Sequence, residues 1–168
     1  MRIKNHVGAG LKPRRKLLGR MGSEMLANLC YAAILTSISV LVHMLGLIRI
    51  TNAMNGLFAR YRIRSNRYGR GMAMVIVVLS LFFLHLTEVF VWATGFLLTH
   101  TFSNFDDSVY VSMVTFSTLG YGDLALHPTR RLLVSIEGII GFLLIGWTTA
   151  YLISASTRYG PFKSGTHF

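Results

Sequence analysis

Three stretches of the chain, residues 25–48, 72–98 and 132–154, run longer than the roughly 20 apolar residues an α-helix needs to cross a hydrocarbon core of about 30 Å. Hydrocarbon offers no partner to a backbone N–H or C=O, so only helices and closed barrels cross it. None of the three stretches shows the period-two alternation of a barrel strand. The expected fold class is therefore an all-α membrane protein with three transmembrane helices, and a composition that is 52% hydrophobic agrees.

The charge follows the same frame. Lys and Arg number 17 against 6 Asp and Glu, a formal +11. In a soluble chain that excess would point to nucleic acid, but here the basic residues flank the apolar stretches and no RNA-binding signature accompanies them, so the expected partner is the lipid bilayer and not nucleic acid. Residues 1–24 carry Arg2, Lys4, Lys12, Arg14, Arg15, Lys16 and Arg20 with Pro13 and several glycines, which reads as a flexible basic segment. Residues 49–70, from Arg49 to Arg70, hold six arginines interleaved with Phe58, Tyr61 and Tyr68. That mixture reads as a cytoplasmic, interfacial loop facing anionic lipids. The single cysteine, Cys30, lies inside the first apolar stretch and has no intrachain partner for a disulfide. The first stretch is too long for the apolar part of a secretory signal, so it is expected to remain as a span.

Between the second and third spans, residues 105–116 are too short to cross a membrane. Ser103 or Asn104 can cap their start and Asp106 and Asp107 fall in the first turn, where negative charge favours a helix. A glycine-bearing strip follows at once, so these residues read as a re-entrant helix that returns to its own side. The strip is Thr118-Leu119-Gly120-Tyr121-Gly122. A dehydrated potassium ion needs oxygens in place of its water shell, and backbone carbonyls supply them only where successive residues alternate between dihedral regions. Gly120 and Gly122 permit that alternation, Thr118 can add a hydroxyl, and Tyr121 can brace the strip.

The run Thr115-Phe116-Ser117-Thr118-Leu119-Gly120-Tyr121-Gly122-Asp123 resembles the signature of the potassium-channel pore family, and the resemblance extends over residues 72–156. It implies a pore domain over 71–156, with an outer helix at 71–99, a pore helix at 105–116, a filter at 118–122, an inner helix at 131–156, and a short cytoplasmic tail at 157–168. It implies potassium ions at the carbonyls of Thr118, Leu119, Gly120 and Tyr121, and no other cofactor. Filter support would come from Tyr110, Ser117 and Asp123, the tyrosine reaching the aspartate. Val114 stands where some bacterial members carry a carboxylate, and Leu119 replaces the commoner valine. Gly141 lies at the spacing of the family's hinge glycine, with Gly138 and Gly146 on either side, and glycine serves bending or close helix approach equally well. Helical spacing from Gly141 marks Phe142, Ile145, Thr149 and Ile153 as cavity lining. One strip cannot surround an ion, so a homotetrameric pore is implied, with the first spans at its periphery.

Ionisable residues within spans are costly and mark function or pairing. His85 and Glu88 share a face of the second span with Trp92 and Gly95, and Thr36, Ser39 and His43 share a face of the first. These faces are expected to meet in an intramembrane polar network of His43, His85 and Glu88, as a structural clasp or a proton sensor. Glu137 is expected to pair with Arg130 or Arg131 of a neighbouring subunit or to touch the pore helix from behind. An outward-facing filter places the 49–70 loop and the C-terminus in the cytoplasm and the N-terminus outside the cell membrane. Seven basic residues outside oppose the positive-inside rule. A translation start at Met21 or Met25 would remove them, and N-terminal sequencing that finds residues 1–20 intact in the native protein would refute that start.

The function expected is a potassium-selective channel subunit, passive, without a voltage sensor or soluble ligand domain. The alternative is a non-conducting accessory or regulatory membrane protein that keeps the pore fold. The six histidines form no ligand-spaced sequence cluster and no phosphate loop is present, so no enzyme is expected.

Overall fold

The computed structural model describes residues 11–61, 67–122 and 128–161. They form α1 (Leu11–Tyr61), α2 (Arg67–Leu98), α3 (Phe105–Phe116), a 3-10 turn at Pro128–Arg130, and α4 (Arg131–Arg158). No strand occurs among the described residues. Three helical segments, Gly22–Arg60, Tyr68–Leu98 and Pro128–Arg158, are long and apolar enough to span a membrane, which bears out the all-α, three-span fold class.

The divisions expected at the N-terminal end are corrected. Residues 11–24 are helical instead of flexible, and residues 49–61 continue the same helix instead of forming a loop, so α1 runs for 51 residues. At about 1.5 Å per residue it is on the order of 76 Å long, more than twice the hydrocarbon thickness. Pro13 sits in its first turn, where the missing N–H has no intrahelical use, and no further proline interrupts it. Arg, Lys, Leu, Ala and Met are all good helix formers, so the basic runs mark where α1 leaves lipid and not where it ends. Residues 62–66, the rest of the link to α2, lie outside the described residues, as do 1–10 and 162–168. Residues 157–158, assigned to the tail, belong to α4.

Side-chain contacts fix the relative directions of the spans. A side chain built on Gly46 would meet Leu84 at 2.4 Å, and one built on Gly95 would meet Leu35 at 2.5 Å. Each helix thus gives a glycine to the other's leucine, and partners rise along α1 as they fall along α2, so the two are antiparallel. Lipid tails are as apolar as leucine, so close packing of this kind and interhelical hydrogen bonds hold spans together. Against α4 the order is parallel. Arg130 donates to Asn28 Oδ1 at 2.7 Å at one end, Asn28 also donates to the Thr129 carbonyl, and Tyr159 donates to Asn55 Oδ1 at 2.9 Å at the other. The first part of α1 therefore lies on the side of the 3-10 turn, and the link to α2 lies on the side of Tyr159.

Two apolar layers result. One gathers Ala32, Trp92, Phe96, Val111, Phe116, Leu133 and Leu144, and the other Leu47, Met54, Val77, Leu81, Leu84 and Ala155. α2 stops after Leu98 because His100 adopts φ 53° while its N–H reaches the Leu97 carbonyl at 2.9 Å and that of Thr101 reaches Phe96 at 2.8 Å. This paired closure turns the chain toward α3. Of the two residues expected to cap α3, Asn104 does so. Its side chain accepts from the Asp107 N–H at 2.7 Å and donates to the Asp107 carboxylate at 2.9 Å.

Candidate functional site

The C-terminal end of α3 organises the strip that follows it. The N–H groups of Ser117, Thr118, Leu119 and Gly120 all turn back onto helix carbonyls, those of Met113 (3.1 Å), Thr115 (2.9 Å) and Val114 (2.9 and 3.3 Å). With the donors engaged on the helix side, the carbonyls of Thr118 to Tyr121 take no hydrogen bond from another described residue. The left-handed region is occupied at every second residue: Thr118 at φ 61°, Gly120 at 56° and Gly122 at 69°. Leu119 and Tyr121 between them have no positive φ. Thr118 adopts a conformation that costs an L-residue roughly 1–2 kcal/mol, at the point where its N–H is bonded to Thr115. Leu119 and Tyr121 project away from the chain's own core and are more than half exposed.

α4 lies directly against the back of α3 at its C-terminal end. A Cβ on Gly141 would stand 2.3 Å from the Phe116 carbonyl oxygen and 2.8 Å from its Cα. At Gly138 the nearest atoms, of Thr115, are at 3.6 Å, and at Gly146 there is open space. Close approach therefore gives Gly141 a reason to be glycine that is independent of bending. Phe142, Ile145, Thr149 and Ile153 sit on the exposed side of α4, uncovered by the other helices of the chain. Glu137 contacts α3 from behind, where Ser112 lies 2.5 Å from its Oε1 and 2.9 Å from the Val89 carbonyl. Within the chain Arg130 is held by Asn28. Tyr110 is partly exposed on α3, and Asp123, its expected partner, lies outside the described residues.

His43, His85 and Glu88 are brought together in a polar layer between the two apolar ones. His43 Nδ1 lies 2.8 Å from Glu88 Oε1, and His85 Nδ1 lies 2.9 Å from Oε2. Glu88 and His43 are fully buried and His85 is 20% exposed. The layer extends to α4, because Thr148 Oγ1 lies 2.9 Å from His85 Nε2. Trp147 packs on the His43 ring at 5.1 Å and Phe116 on the His85 ring at 5.6 Å, so the cluster touches both the inner face of α4 and the end of α3. Ser39 is buried on the same face of α1 with its hydroxyl unpartnered, and Thr36 is only partly buried. Sequence reasoning missed Thr148 and Asn28. A hydroxyl in a span ordinarily bonds the carbonyl four residues back, as Thr149, Thr94 and Thr87 do here, so nothing in the sequence separates Thr148 from them.

Removing the carboxylate should be costly. Glu88→Ala leaves the fully buried ring N–H of His43 without an acceptor, and a buried unsatisfied donor costs about 1–3 kcal/mol. A fall in the thermal unfolding midpoint of the detergent-solubilised protein, absent in the lipid-facing control Phe83→Ala, is the expected result.

Three apolar spans, two of them packed on a short helix that ends in an exposed strip of carbonyls, define a membrane protein built around a re-entrant segment. Residues 72–158 match the family described as ion channel, slightly more than half of the chain, and the protein belongs to that family as an ion channel subunit. No curated protein and no solved structure matches the chain.

Proposed function

We propose that four copies of this chain form a passive, potassium-selective pore in the cell membrane, with the carbonyls of Thr118, Leu119, Gly120 and Tyr121 as successive ion sites. The observation that carries the reading is the alternation of left-handed backbone at 118, 120 and 122 together with N–H groups drawn onto α3. Alternation of this kind turns successive carbonyls toward one side, and a stack of such carbonyls around an axis replaces the hydration shell of potassium. The exposure of Leu119 and Tyr121 in a single chain supports an assembly in which neighbouring strips and pore helices cover them. α4 would line the cavity through Phe142, Ile145, Thr149 and Ile153, and α1 would lie at the periphery. The filter side, which holds the start of α1, would face outward, with the 62–66 link and the C-terminus in the cytoplasm, where the arginines between Arg49 and Arg70 meet anionic headgroups.

The test is ion flux from liposomes holding the purified protein, under opposed potassium and sodium gradients. Potassium flux well above sodium flux is expected. Equal fluxes would refute selectivity, and silence from a confirmed tetramer would favour a non-conducting accessory protein.

A further inference from the structure

We propose that His43, His85 and Glu88 form a binding site for one divalent transition-metal ion of the zinc and cobalt type, joining α1 to α2 at mid-membrane. Each of these residues offers one ligand atom, and the three atoms lie within 4.8 Å of one another. Tetrahedral bonds of about 2.0–2.2 Å to such an ion place ligand atoms roughly 3.3–3.6 Å apart, so the set closes on a metal once its widest pair draws together by at most about 1.5 Å, shared between two side chains. Two imidazoles and one carboxylate suit zinc, cobalt or nickel, whereas calcium and magnesium prefer all-oxygen sets and potassium has the carbonyl strip.

Three further features favour an ion over a simple clasp. Thr148 holds the outer nitrogen of His85, which aims Nδ1 inward, and an outer partner of this kind accompanies metal-ligating histidines. Because the threonine hydroxyl can accept as well as donate, a neutral His85 can move its proton from Nδ1 to Nε2, give that hydrogen bond to Thr148, and present its Nδ1 lone pair to the metal. Thr148 then directs its own proton to the carbonyl four residues back, as its neighbour Thr149 does. Next, His43 must likewise carry its proton on Nε2 to bind through Nδ1, and on the same face of α1 the buried Ser39 hydroxyl one turn earlier has no partner in the present arrangement and is an acceptor not otherwise engaged. Finally, Trp147 and Phe116 wall the site with rings and limit water, while the partial exposure of His85 leaves a way in.

The experiment is a cobalt titration of the tag-free, full-length protein in detergent, followed by visible absorption, with zinc as competitor and metal content measured after gel filtration. One cobalt per chain, displaced by zinc, is expected. Apparent affinity should fall about 100-fold or more in His43→Gln and Glu88→Gln, and about 10-fold or more in Thr148→Val, which keeps all three ligands. The other four histidines are present in every variant, so binding they contribute is common to all. Thr87→Val, which removes a back-bonded hydroxyl on α2, should leave the affinity unchanged. Should either ligand variant fail to assemble, Thr148→Val against Thr87→Val still decides. Absence of saturable cobalt binding in the wild-type protein, or equal binding in wild type and Thr148→Val, overturns the proposal.

Discussion

Gly120→Ala is expected to abolish potassium-selective flux while the protein still assembles. Gly120 sits at φ 56°, and no atom lies within 4 Å of the Cβ an alanine would add. Space is therefore not the difficulty; the backbone conformation is. An L-residue in the left-handed region costs roughly 1–2 kcal/mol, which over the four strips of the proposed pore would amount to on the order of 4–8 kcal/mol. The strip can shed that strain by rotating the peptide, which in the proposed pore would turn a carbonyl away from the axis and remove a ring of ion ligands. Gly146→Ala is the control, because it also adds a methyl into open space but within a regular helix, where alanine is favoured by about 1 kcal/mol. Liposome flux should vanish in the first variant and persist in the second. Potassium selectivity retained in Gly120→Ala would sink the assignment of this strip as the filter.

Gly141→Ala should instead break the fold of the pore region. The new Cβ would stand 2.3 Å from a backbone oxygen of Phe116, and backbone at the end of α3 has no rotamer with which to move aside. Overpacking of this kind costs about 1–3 kcal/mol per chain, and α4 must back away from the end of α3. Gly138→Ala meets nothing closer than 3.6 Å, so only the helix preference for alanine, about 1 kcal/mol, remains, and that variant should be no less stable than the wild type. Thermal unfolding of the two variants side by side measures the difference. An unchanged midpoint in Gly141→Ala would show that α4 does not press on Phe116 as described, and would return the glycine to a role in bending.

The parts of this molecule that were legible in the sequence are those governed by local rules. Span number follows from the length of apolar runs, the start of α3 from Asn104 and two aspartates, and the strip from the spacing of two glycines. The meeting of His43 with Glu88 was also legible, because a charged side chain inside lipid must find a partner and few were available. The extent of α1 was misread because basic runs, with Pro13 and several glycines, were taken as helix stops, whereas arginine ends a span without ending a helix and proline is tolerated in a first turn.

The sequence by itself thus determined how many helices cross, where the re-entrant segment lies, and which residues carry oxygen or charge into the membrane. Only the tertiary structure decided that Thr148 and Asn28 join the polar contacts, that Glu137 meets Ser112 of α3, and that of three glycines on α4 Gly141 is the one pressed against backbone. The physical reason is that patterning fixes each helix's face to within a turn. Which atom meets which depends on the crossing of two helices, and crossing is set by the whole interface at once.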